Sequence, residues 1–233
     1  MRWGIDGCSG GWIALALNDD GTHTARLYAD IRAFWKAQRG TVTRALIDIP
    51  IGLPEDDTRP VDALARKRLR SRRSSVFAVP VRAAFDADDY AAACDINQQY
   101  TGRRFSKQTW NIMPRIREVD ALLRQTKAAR PVLLESHPEV VFAALSGGRP
   151  MGYSKRHALG FLTRLEVLEG YIPAARSIIR RVYAEHAKAL NVDDVVDALA
   201  LATAARFDRL ASVPEDPDTD AHGLPMQIVY PVF

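Results

Sequence analysis

Hydrophobic and polar positions follow two rhythms along this chain, and the changes between them mark out its elements. Residues 2–7 and 11–18 are apolar runs separated by CSGG at 8–11, whose glycines can take the positive φ of a tight turn, so two antiparallel strands are expected. A turn signal from Asn18 to Gly21 and the alternation of 22–29 add a third strand and complete a meander. Asp30 reads as a helix N-cap, Ile31, Phe34 and Trp35 share one helical face, and Gly40 is a stop, so 31–39 is expected to be a short amphipathic helix. Residues 43–48 follow as a buried strand. A strand, a crossover helix and a further strand favour a right-handed, parallel return beside the first strand, which brings Asp6 and Asp48 to one end of the sheet.

Beyond Pro50 the chain is polar, interrupted by prolines and basic until about residue 115, then helical over 116–124. Residues 51–130 therefore read as a helical insertion on an α/β core, and 132–135 restores a strand. Leu159, Leu162 and Leu165 keep helical phase behind Ser154 despite Gly160, which predicts a helix over 154–168. Further helices are expected at 174–189 and from Asp193, capped by its own side chain, to about Leu210. A loop rich in Pro and Asp leads to 223–230, a closing edge strand.

Composition narrows the class. A chain of 233 residues, 47% hydrophobic and 26% charged, can bury a sizeable core and fits one domain, 1–233, with its insertion. The apolar helical stretch 198–205 is far short of the roughly 20 residues that cross a bilayer, so no membrane partner is expected. Asp6 arrives too soon for a signal peptide, and Cys8 and Cys94 lack metal-ligand spacing, so a reducing cytoplasm is the expected location. The net charge of +4 is mild. Its distribution says more: ARKRLRSRRSS at 65–75 concentrates Arg66, Lys67, Arg68, Arg70, Arg72 and Arg73, a density that can neutralise phosphates.

Three apolar runs end on a carboxylate, at Asp6, Asp48 and Glu135, and the segment DDVVDALALATAA at 193–205 adds Asp194 and Asp197 on one helical face. Each acid alone has a plain structural explanation as a turn residue, a cap or an ion-pair partner. Together they are costly, because two carboxylates about 5 Å apart repel by roughly 3 kcal/mol at an effective dielectric of about 20. A divalent cation removes that objection, and magnesium keeps open positions for a phosphate and a water.

The motifs GIDGCSGGW, IDIPIGLP, SSVFAVPVR, SKQTWNI, ESHPEVVF, SKRHALGFLTR and DDVVDALALATAA, in that order, resemble the uncharacterised family DUF429, regarded as predicted nucleases of the RNase H-like fold. The resemblance implies an α/β architecture with a mixed five-stranded sheet, antiparallel meander plus parallel strands in the order 3-2-1-4-5, and flanking helices. It also implies Mg²⁺ or Mn²⁺ held by Asp6, Asp48, Asp194 and Asp197, with RNA or DNA as substrate. Either Asp48 or Glu135 would supply the intervening strand acid; the order 3-2-1-4-5 makes Asp48 the neighbour of Asp6 and Glu135 an assisting acid.

Around that centre, substrate contacts are expected from Arg66, Arg70 and Arg73, from Lys107 beside Gln108, from Lys155 in a basic group with Arg156 and Arg164, and from His137 as a proton shuttle or further ligand. Phe77, Tyr100 and Trp110 can stack bases or form the small core of the insertion. Two rivals stand beside the nuclease: a non-catalytic module binding nucleic acid or a partner, and an ATP-dependent phosphotransferase whose CSGG turn wraps phosphates. Homodimerisation is left open.

Overall fold

The computed structural model describes residues 1–18 and 20–233; Asp19, inside the turn expected at 18–21, lies outside the described residues. Strands β1 (Arg2–Cys8), β2 (Gly11–Leu17) and β3 (His23–Tyr28) form the expected meander, and β4 (Arg44–Ile47) and β5 (Leu133–Glu135) add to it in parallel. The order is β3-β2-β1-β4-β5, the mixed sheet of an RNase H-like α/β fold. Helix α1 (Ile31–Gln38) joins β3 to β4, with the Asp30 carboxylate accepting from the Ala33 N–H as its cap.

The segment between β4 and β5 holds α2 (Pro60–Leu69), 3-10 turns at Arg70–Ser75 and Arg82–Asp86, α3 (Tyr90–Thr101) and α4 (Lys107–Gln125). A parallel pair needs a crossover, and α4 provides it: Met113, Ile116, Val119 and Leu123 bury against Trp3, Ile5, Phe34 and Ile47 on one face of the sheet. The other face is covered by α5 (Pro138–Leu145), α6 (Ala158–Tyr171), α7 (Ala175–His186) and α8 (Val192–Ala205). Every residue of α8 from Asp194 to Ala205 is buried, the mark of a central helix. No helix among the described residues is long and apolar enough to cross a membrane.

Several boundaries differ from expectation. Helix α8 stops at Ala205 rather than near Leu210, and residues 210–213 form β6 (Leu210–Val213), paired with β7 (Ile228–Pro231). Phe207 and Leu210 continue the helical phase of α8, so periodicity alone overran its end. The closing strand pairs with β6, and a bridge from Val229 to Ser136, with the Ser136 hydroxyl donating to the Val229 carbonyl at 2.7 Å, ties it to the end of β5. Helix α6 begins at Ala158, capped by His157 instead of Ser154. Gly160 explains the shift: a Cβ there would stand 1.9 Å from the Ser154 carbonyl oxygen, so the loop before the helix lies directly on it.

The approach of α8 to β1 is equally close. A Cβ on Gly4 would sit 2.1 Å from the Ala202 nitrogen and 2.2 Å from the Ala198 carbonyl oxygen. Gly4→Ala must push helix from sheet, and an overpacked core that meets backbone should lose about 3 kcal/mol or more. Thermal unfolding should show a Tm lower by roughly 6–12 °C. Gly102→Ala meets no neighbour and serves as a control for the strain of its positive φ alone.

Candidate metal centre

β1 and β4 run in register, Ile5 beside Ile47, and the Asp48 N–H continues the ladder by donating to the Ile5 carbonyl at 3.0 Å. Side chains alternate between faces along a strand, so Asp6 lies on the face of Gly4 and Asp48 on that of Leu46, under α8. Asp197 reaches the same point from α8 itself. One carboxylate oxygen from each of Asp6, Asp48 and Asp197 lies within 4.8 Å of the other two, with Asp6 and Asp197 buried and Asp48 half-buried.

This proximity is written into their acidity. Burial pushes the Asp6 carboxyl well above its ordinary range, and the charges of Asp48 and Asp197 add to the effect. Burial likewise raises Asp48. Asp197 is pushed up to about 6 by burial and by Asp48, against the pull of Lys155. The Lys155 ammonium bonds the Asp197 carboxylate and lies 3.2 Å from Asp193. Burial works against that ammonium, but Asp197 and Asp6 outweigh it and hold it charged. The acid group thus already draws one cation, and three clustered carboxylate oxygens are a donor set that could hold a divalent ion.

Asp194 and Glu135 are placed differently. Asp194 accepts from the Asn191 N–H at 2.7 Å in a capping box, so Asn191 rather than Asp193 caps α8. Its charge still bears on Asp6, but it is not among the three converging acids. Glu135 pairs with Ile47 in the β4–β5 ladder and therefore faces away from Asp48. Its carboxylate accepts from the Ile51 N–H at 2.7 Å and from Arg59, fully buried, at 2.6 Å. Burial raises it to about 7 against the pull of Arg59. The expected assisting acid is an anchor for the insertion.

His137 is engaged on both ring nitrogens: Nδ1 accepts from the Glu139 N–H as the cap of α5, and Nε2 lies 3.2 Å from the Ser75 carbonyl. It lines the cleft as a brace, with no nitrogen left for a metal. Lys155 comes from the loop pressed on Gly160, not from a helix, while Arg164 is buried against Glu139 and the Tyr153 carbonyl. In the basic run Arg66 donates Nε to the Val76 carbonyl at 3.0 Å, whereas Arg70 and Arg73 are exposed without an ion pair among the described residues. Lys107 sits 4.4 Å over the Tyr90 ring, outside the cleft that its neighbour Gln108 lines.

Two residues went unread in the sequence. Arg115 of α4 packs over Gly7 and lines a cavity with Asp6 and Asp48; the glycine after Asp6 was the available signal. Glu139 lines the cleft with Asp48 and Asp197 and is held by Arg164 and, at 3.7 Å, by Arg72. Following a proline at a helix start, it reads as an ordinary first-turn acid.

Carboxyls with a raised folded pKa favour folding below their ordinary value of 3.8, and that advantage is lost as pH rises through the folded value, about 6 for Asp197. Without divalent ions, Asp6→Asn should therefore melt above the unsubstituted protein at about pH 7 and converge with it near pH 4. Saturating Mn²⁺ should reverse the ranking, since an ion at about 100 times its Kd adds about 2.7 kcal/mol to the protein that binds it alone. Melting curves across pH with and without Mn²⁺ check both; an Asp6→Asn variant stabilised equally by the ion contradicts the assignment.

The family of proteins of unknown function DUF429 matches residues 4–219, a span that contains all three converging acids and every element from β2 to β6. Neither a curated protein nor a solved structure matches the chain. With most of its length matched in this way, the chain belongs to the DUF429 family.

Proposed function

We propose that this protein is a Mg²⁺- or Mn²⁺-dependent nuclease that hydrolyses phosphodiester bonds of RNA or DNA. The observation that carries the reading is the convergence of Asp6, Asp48 and Asp197 from two neighbouring strands and a central helix. An all-oxygen set of carboxylates suits magnesium or manganese, and a bound ion supplies a Lewis acid for a phosphoryl oxygen and a water of lowered pKa. Asp6 and Asp197, both buried, fix the position of charge; Asp48, half-buried and bordering two cavities, is the carboxylate that water reaches from the cleft. Lys155 lines the same cleft, where its ammonium can meet a non-bridging phosphate oxygen. Asp194 adds negative charge beside Asp6 while one of its oxygens serves the helix cap.

The second reading, a non-catalytic binding module, draws support from Lys155 and the capping box, which satisfy part of the acid group without any ion. Phosphotransfer draws less. The Gly10 N–H and the Ser9 hydroxyl are both spent on the Ala189 carbonyl and Arg115 on that of Cys8, so the glycine turn has fewer donors for phosphates.

Calorimetric titration with Mn²⁺ and cleavage of labelled RNA, DNA and branched oligonucleotides separate the readings. Uptake lost in Asp197→Ala, with cleavage lowered about 100-fold or more in Asp6→Asn, supports the nuclease. Lys155→Met should bind Mn²⁺ more tightly, having lost a competing cation, yet cleave more slowly. Absence of both uptake and cleavage supports the module.

A further inference from the structure

Three cavities meet at one side chain on the insertion, Phe77. One, of about 460 Å³, holds Asp48, Asp197 and Lys155. It shares Ser74, Phe77 and Gln108 with a larger cavity of about 710 Å³, lined also by Arg66, Arg73 and Arg103. A small cavity of about 150 Å³ beside Asp6 and Asp48 opens against the same ring. The groove thus runs from the acid centre across an aromatic ring to a basic wall.

Part of the charge on that wall is already paired, Arg59 with Glu135 and Arg104 with Asp95, which leaves Arg66, Arg73 and Arg103. Arg73 and Arg103 are exposed and carry no ion pair among the described residues, and Arg66 spends only its Nε on a carbonyl. The acid on the wall, Asp62, is buried, accepts from the Val79 N–H at 2.9 Å and lies 3.8 Å from Arg59. Phe77 is 37% exposed, although its neighbours Val76 and Val79 are buried. More than a third of this apolar side chain stays open to water at the junction of an acidic and a basic cavity. It has the attributes of a stacking platform: an accessible aromatic side chain between places for consecutive phosphates.

We propose that the larger cavity is a second binding site, for the backbone of a single-stranded nucleic acid that passes from the acid centre across Phe77 to Arg66, Arg73 and Arg103. The proposal names the substrate class of the nuclease reading and rests on it. A duplex keeps its bases stacked on one another and offers no free face to Phe77, so the groove selects unpaired strands. Arginine contacts to phosphate and stacking on phenylalanine carry no base code, so sequence preference is weak.

The test is fluorescence anisotropy with a labelled strand of about 12 nucleotides, alone and hybridised, on the full chain in EDTA. The expected result is binding at least about tenfold tighter to the single strand than to the duplex. Arg73→Gln with Arg103→Gln removes two phosphate contacts, each worth about 0.7 in the slope of log K against log salt. Binding should weaken about 25-fold at about 0.1 M salt and the slope should become shallower by about 1.4. Phe77→Ala should weaken binding about tenfold with the slope unchanged. Unaltered melting and Mn²⁺ uptake in these surface variants show that they fold.

Variants that bind like the unsubstituted protein, a duplex bound as tightly as the strand, or polyglutamate displacing the strand at equal charge concentration each overturn the proposal. The two readings fail separately. Strand binding with this dependence but no Mn²⁺-stimulated cleavage refutes the nuclease and leaves the site, whereas cleavage unaffected by the arginine and Phe77 substitutions refutes the site and leaves the nuclease.

Discussion

The contact between α8 and β1 at Gly4 is the constraint from which the rest follows. Without a side chain there, and with Ala198 and Ala202 opposite, helix and sheet backbones approach to a distance no other residue permits. That approach sets Asp197 over Asp6 and Asp48. Each carboxylate pair repels by about 3 kcal/mol, a load that would separate two loosely packed elements. Here Val195, Val196, Leu199 and Leu201 are buried on the same helix, each contributing about 1.5–3 kcal/mol, so apolar packing outweighs the repulsion and the acids are held together at an energetic loss to the fold. Sites kept under such strain trade stability for chemistry.

Much of this was legible in the chain. The meander, the crossover after Asp30 and the parallel return of β4 follow from alternation, a capping aspartate and the handedness of connections, and they place Asp6 beside Asp48 without any coordinates. What the sequence could not supply was strand register. Asp48 lies one residue beyond Ile47, while Glu135 pairs with Ile47 itself; a single step along β5 turns its carboxylate to the opposite face. The same limit applies to the basic residues. Nothing in the spacing of Lys155 and Arg164 distinguishes a lysine delivered to Asp197 by a loop from an arginine buried against Glu139.

Polar residues with two available roles account for most of the remaining differences. His137 and Asp194 each have a chemistry suited to a metal centre and a chemistry suited to a helix end, and both serve helix ends, where unpaired N–H groups must find acceptors. The basic run divides in the same manner. Arg66 and Arg68 turn inward, to the Val76 carbonyl and the Tyr230 ring, while Arg70 and Arg73 stay in water. A density of charge in the sequence is shared out by the fold between scaffold and surface.

The buried pair of Arg59 and Glu135 has a mechanical consequence. Swinging the helical insertion off the sheet would part these charges and lose a charge-assisted hydrogen bond worth about 1.5–3 kcal/mol, on top of the apolar packing that holds the insertion down. The roof over the acids is therefore bolted rather than hinged. A ligand admitted there would meet walls already set, and little of its binding energy would be consumed in shaping them.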